Sequence, residues 1–110
     1  MNKSKAETFI GFAVRARKFR AGENTLATLK KIYLVIVCKT ASENARKNAW
    51  KYAAKHKCPV MITAQETLEN LAHIGGIKLS AVTDRALAEA IIKNYSPDLE
   101  YYNNIGEENS

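Results

Sequence analysis

The chain has 110 residues, 46% hydrophobic and 25% charged, the balance of one ordinary globular domain with a single core. No apolar run approaches a membrane span, and the opening MNKSKAETF lacks the apolar centre of a secretory signal. A cytoplasmic protein without membrane attachment is therefore expected. The net charge is +6, but Asp98, Glu100, Glu107 and Glu108 make the segment 98–110 acidic; residues 1–97 then carry seventeen basic side chains against seven acidic ones, or +10. A polyanion such as nucleic acid relieves that self-repulsion, while the alternative is a lysine surplus that only keeps the protein soluble.

In chain order, Ser4-x-x-Glu7 is a capping box, and Ala6, Phe9, Ile10, Ala13 and Val14 follow at spacings of three and four. That pattern predicts a helix from about 5 to 17, with Arg15, Arg17 and Lys18 near its C-terminal end, where cations favour the helix dipole. A short extended piece, Lys18–Ala21, leads to Gly22, and Leu26 and Leu29 suggest a two-turn helix over 23–30. Residues Ile32 to Cys38 are β-branched and apolar on both faces, as in a strand covered on both sides.

Thr40-x-x-Glu43 reads as a second capping box, opening a helix to about His56. Ala45, Ala49 and Ala53 recur every fourth residue in it, small enough to sit close to a sheet, while Lys47, Lys51 and Lys55, with Arg46 beside them, form a basic face that reads either as solvated surface or as a binding surface. Trp50 lies off the alanine stripe and has two readings: packing on the tail tyrosines or stacking on a base. Pro59 to Thr63 is the next strand. Thr63-x-x-Glu66 reads as a third capping box, Gly75-Gly76 as the stop of that helix, Leu79 to Thr83 as a strand, and Thr83 or Asp84 as the cap of a last helix ended by Ser96-Pro97.

The alternation predicts an α/β fold, a three-layer α/β/α sandwich with a mixed four-stranded sheet over residues 1–97, followed by a loose acidic tail at 98–110. Leu99, Tyr101, Tyr102 and Ile105 of that tail are able to dock. Cys38 ends one parallel strand and Cys58 precedes the start of its neighbour, so the two thiols are expected too far apart to bridge.

Little in the chain points to catalysis. His56 and His73 stand in no spacing that suggests a metal site or a general base, no glycine-rich phosphate loop occurs, and Asp84 reads as a helix cap. The expectation is no catalysis and no cofactor. One stretch, RAGENTLATLKK at 20–31, invites a ligand instead. Gly22 allows close backbone approach, Asn24 both donates and accepts as a nucleobase edge requires, and Arg15, Arg17, Lys18 and Arg20 are placed to grip phosphates. Glu23 either caps the helix or accepts from a base amine.

The run from Ile10 to Glu23 (IGFAVRARKFRAGE) resembles the start of the small bacterial relatives of the ribosomal protein L-seven-Ae type. Thr-Ala-Ser-Glu-Asn at 40–44, Cys58-Pro59-Val60 and Ala81-Val-Thr-Asp-Arg85 are similar to that family in the same order, over roughly residues 4–94. The resemblance implies an α/β/α sandwich that binds kink-turn RNA, in ribosomes or other ribonucleoproteins, without catalysis or cofactor. It also implies that the family's Gly-x-Asn-Glu-x-x-Lys motif falls here on Gly22, Asn24, Thr25 and Thr28, with threonines in place of the glutamate and lysine and an acid at Glu23. The second RNA-contacting loop would be Ile74-Gly75-Gly76-Ile77, after a helix that reads Leu68-Glu69 where the family has Leu-Gly. RNA, ribosomal or otherwise structured, is thus the expected partner, with Arg17, Lys18 and Arg20 supplying affinity independent of sequence. The other reading is a protein-interaction adaptor that kept the sandwich and lost RNA recognition.

Overall fold

The computed structural model describes residues 4–102. Five helices and five strands follow in the order α1 (Lys5–Arg15), β1 (Phe19–Ala21), α2 (Glu23–Thr28), β2 (Leu34–Val37), α3 (Glu43–His56), β3 (Val60–Thr63), α4 (Leu68–Ala72), β4 (Leu79–Val82), α5 (Arg85–Lys93) and β5 (Leu99–Tyr102). The strands form one mixed sheet in the order β1-β4-β2-β3-β5, with β2 and β3 parallel and the other pairs antiparallel.

Side chains alternate along each strand, and the alternation divides the core in two. Leu34, Ile36, Met61 and Val82 join Ile10 of α1, Leu68 and Leu71 of α4 and Ile91 of α5 in one cluster. Val35, Val37, Val60 and Ala81 join Leu26 of α2 and the alanine stripe of α3 in the other. Ala45, Ala49 and Ala53 are all buried, so the small side chains do bring α3 down onto the sheet. Cys38 and Cys58 are free, buried, and in different clusters. No helix among the described residues is long and apolar enough to cross a membrane.

Several expectations need correction. The sheet has five strands, not four, because Leu99–Tyr102 pairs antiparallel with β3, from Thr63↔Leu99 to Val60↔Tyr102. Leu99 enters the core, the Asp98 carbonyl accepts from the Ala64 N–H at 2.8 Å, and the Ser4 hydroxyl donates to the Asp98 carboxylate. The described part of the tail, expected to be loose, is thus an edge strand held by backbone pairing; Ile105 lies outside the described residues. Trp50 packs on Tyr102, ring centroids 5.8 Å apart, the first of its two readings.

Two caps also move. The helix α3 is capped by Ser42, whose oxygen accepts from the Ala45 N–H at 3.1 Å, because Thr40 lies inside a turn closed by the Ala41 N–H to the Cys38 carbonyl. The helix α4 is capped by Thr67; Thr63 stays in β3, where its hydroxyl accepts from the Lys39 N–H at 2.8 Å. Helix α4 ends at His73 in the left-handed conformation, ahead of the Gly75-Gly76 pair. Ser4 and Asp84 cap α1 and α5 as expected.

Candidate nucleic-acid interface

The ladder between β1 and β4 positions the site. It pairs Ala21 with Ser80 and continues into a bond from the Gly22 N–H to the Leu79 carbonyl, 2.9 Å long. The start of α2 therefore lies beside the segment 74–78 that feeds β4, although more than fifty residues separate them in sequence. Gly22 has φ 100 and ψ 144, a conformation essentially confined to glycine, and it turns the chain from the edge strand into α2. Leu26, 1% exposed, holds that short helix against the sheet.

On this turn the side chains have distinct duties. Asn24, in the first turn of α2, is exposed. Glu23 is half-buried and accepts from the Asn48 side-chain amide at 2.9 Å, a clasp between α2 and α3. Thr28 donates to the carbonyl of Thr25 at 2.7 Å and so bends back on its own helix. Across from them, Gly75 and Gly76 are exposed, whereas Ile74 and Ile77 are partly buried against the core. Glu69 organises this loop: it accepts from the Gly76 N–H and lies 3.7 Å from the Lys78 ammonium, which also donates to the Thr40 hydroxyl at 2.8 Å.

The expected cations do not gather at Gly22. Arg20 is exposed in the middle of β1, but Arg17 and Lys18 lie at the strand's far end, where the Lys18 carbonyl accepts from the Thr83 N–H at 2.8 Å. Four residues of extended chain set Lys18 back from Gly22 by ~13 Å. The structure thus sets the Gly22 turn and the first turn of α2, with Glu23, Asn24 and Thr25, beside the strand that the 74–77 loop feeds, leaves Thr28 at the far end of that helix, keeps Arg20 alongside, and separates Arg17 and Lys18.

His56 received no role from its sequence context, yet its place is specific. It is 8% exposed, and its Nδ1 accepts from the Ile32 N–H at 3.2 Å. Burial, with the nearby charges of Lys55 and Lys31, holds its pKa below the usual 6.5. The folded chain thus favours the neutral ring. The contribution to stability is present above pH about 6.5 and is lost as pH falls through the lower folded pKa. Urea unfolding at pH 5 and pH 7.5 is expected to show this loss in the native chain, and a smaller one in His56→Gln, whose amide oxygen is able to accept from Ile32.

The remaining titratable groups offer less. His73, with its side chain 61% exposed, pairs with Glu7 at 2.7 Å across α1 and α4. Burial pushes the Cys58 thiol up to about 12, against the pull of Lys31, which makes it inert at neutral pH. Among the described residues no group of three His, Cys, Asp or Glu side chains is arranged to hold a metal ion.

No protein-family model matches the chain, and no curated protein does. The fold is similar to the solved structure of a protein of unknown function from Bacillus halodurans, with a TM-score of 0.72 and 19% identity, over 83% of this chain and 96% of that one. A likeness at that identity establishes the shared fold.

Proposed function

We propose that this chain is a non-catalytic RNA-binding protein, ribosomal-protein-like or ribosome-associated, built as an α/β/α sandwich of the L-seven-Ae type and working in the cytoplasm on structured, kink-turn-like RNA. The observation that carries the reading is the junction of the Gly22–Asn24 turn with the 74–78 loop through the Gly22 to Leu79 hydrogen bond. It sets an exposed amide beside exposed glycine backbone, a surface able to hydrogen-bond base edges at close approach. The two apolar clusters on opposite sets of strand residues support the sandwich architecture. The +10 charge on residues 1–97 supports a polyanionic partner and implies affinity that falls steeply with salt.

The test separates base reading from phosphate grip. Asn24→Ala is expected to remove about 1–3 kcal/mol of preference for kinked RNA over plain duplex. Arg20→Ala is expected to weaken both alike and to lower the salt slope by about one. Binding titrations on the two RNAs check this; an equal loss on both from Asn24→Ala would sink the base-reading role. One observation favours the second reading, a protein-interaction adaptor: Glu23 and Thr28 are both engaged within the protein. The adaptor is the outcome if neither RNA binds more tightly than expected from charge alone.

A further inference from the structure

At the pole of the sheet remote from Gly22, the beginnings of β2 and β3 meet the end of β4. The Tyr33 N–H donates to Val82 C=O at 2.9 Å and the Val35 N–H to Pro59 C=O at 3.1 Å. This pairing brings Lys31, His56, Lys57 and Arg85, drawn from three separate parts of the chain, around one groove of about 340 Å³. Tyr33 and Ile92 supply apolar wall.

Two independent features of the groove point to an anion. The first is charge. Lys31, Lys57 and Arg85 are all exposed there, against the single carboxylate of Glu89. Glu89 engages Arg85 only through Nε, at 3.2 Å, which leaves the terminal guanidinium nitrogens as donors. The second is an orphaned donor. Because the Nδ1 of His56 accepts from Ile32, the neutral ring carries its proton on Nε2. That Nε2 is buried and has no hydrogen-bond partner among the described residues. An unpaired buried donor on a ring more than nine-tenths buried is costly unless a ligand oxygen satisfies it. The Lys31 ammonium, on a flexible stem, lies 3.5 Å from the His56 carbonyl and 5.5 Å from the centre of the Tyr33 ring in the groove wall.

We infer that this groove binds a phosphate group, with His56 Nε2–H, Lys57 and Arg85 as its donors and Lys31 as a closing charge. Three cationic side chains around one groove match the higher charge of a phosphate better than the single charge of a carboxylate, and its several oxygens suit donors arriving from different sides. The phosphate has two chemical sources, a small free phosphate or the backbone of an RNA strand. The site does not depend on the base-reading surface at Gly22, which lies at the other pole.

The experiment follows the His56 imidazole nitrogens by long-range ¹H–¹⁵N NMR on the full chain at pH 7.5. It is titrated separately with inorganic phosphate, with single-stranded oligouridylate, and with sodium chloride at matched ionic strength. A saturable shift of Nε2 is expected with phosphate or the oligonucleotide and not with chloride. Saturation by inorganic phosphate assigns a small free phosphate as a sufficient ligand, and saturation by the oligonucleotide alone assigns the RNA backbone. The double variant Lys57→Ala/Arg85→Ala alters exposed side chains only, and is expected to weaken the response roughly tenfold or more. No saturable shift with either ligand, an equal response to chloride, or an unchanged response in the double variant would overturn the assignment. The Asn24→Ala comparison above reads the other pole, so its failure and this one are distinguishable.

Discussion

Ile36→Ala is expected to lower the unfolding free energy by about 2–5 kcal/mol, the largest effect of any substitution considered for this chain. Ile36 is fully buried in β2, which lies between β4 and β3 at the centre of the sheet. It contributes to the cluster shared with α1, α4 and α5, and its carbonyl accepts from the buried Ser80 hydroxyl at 2.9 Å. Truncation removes three carbons and leaves a cavity between layers that a paired strand is poorly able to collapse. Ile36→Val keeps the β-branched shape and is expected to cost only about 0.5–1.5 kcal/mol. Urea unfolding of the pair checks the argument; a loss in the alanine variant no larger than in the valine variant would show that this face is not close-packed.

Gly22→Ala is expected to cost about 1–3 kcal/mol and to weaken RNA binding with it. The cause is the backbone and not crowding. At φ 100 an L side chain is strained, yet an added Cβ would meet nothing closer than the Thr25 hydroxyl at 3.9 Å. Relief of the strain would rotate the turn and carry Asn24 away from the 74–78 loop. Gly75→Ala is the matched control, since its φ is unremarkable and no atom lies within 4 Å of the added Cβ. Gly75→Ala is expected to be near neutral in urea unfolding. Equal midpoints for the two variants would mean that Gly22 is not held in its glycine-only conformation.

The parts of the fold that rest on local spacing were readable in the chain. The three-and-four spacing in α1, the four-residue alanine repeat in α3 and the β-branched run in β2 each report one element's own buried face. The capping signals were less reliable for a physical reason. Thr40, Ser42, Thr63 and Thr67 all have side chains able to cap, and only the course of the chain between strand and helix selects Ser42 and Thr67. For the acidic tail, charge suggested a loose segment, while the exposed edge of β3 supplied unpaired backbone groups that Leu99–Tyr102 satisfies.

For the candidate site, Gly22 and Asn24 were visible as residue types suited to close approach and base-edge contact, and so were the arginines and lysines around them. Their grouping was not. Sequence proximity placed Arg17, Lys18 and Arg20 together with Gly22, whereas the extended geometry of β1 sends Arg17 and Lys18 to the opposite end of the strand. The orphaned Nε2 of His56 had no local signature at all, because it arises from Ile32, twenty-four residues away.

By itself, then, the sequence determined the helical and extended segments, the buried faces, the excess of positive charge and a glycine-amide turn suited to a ligand. The tertiary structure decided which segments share a pole: β1 beside β4, the 74–78 loop beside Gly22, and Lys31, Lys57 and Arg85 around His56. Local propensity acts over a few residues, but strand order and register are chosen by hydrogen bonds and packing between segments far apart in the chain, and those pairings leave no periodic trace in either partner.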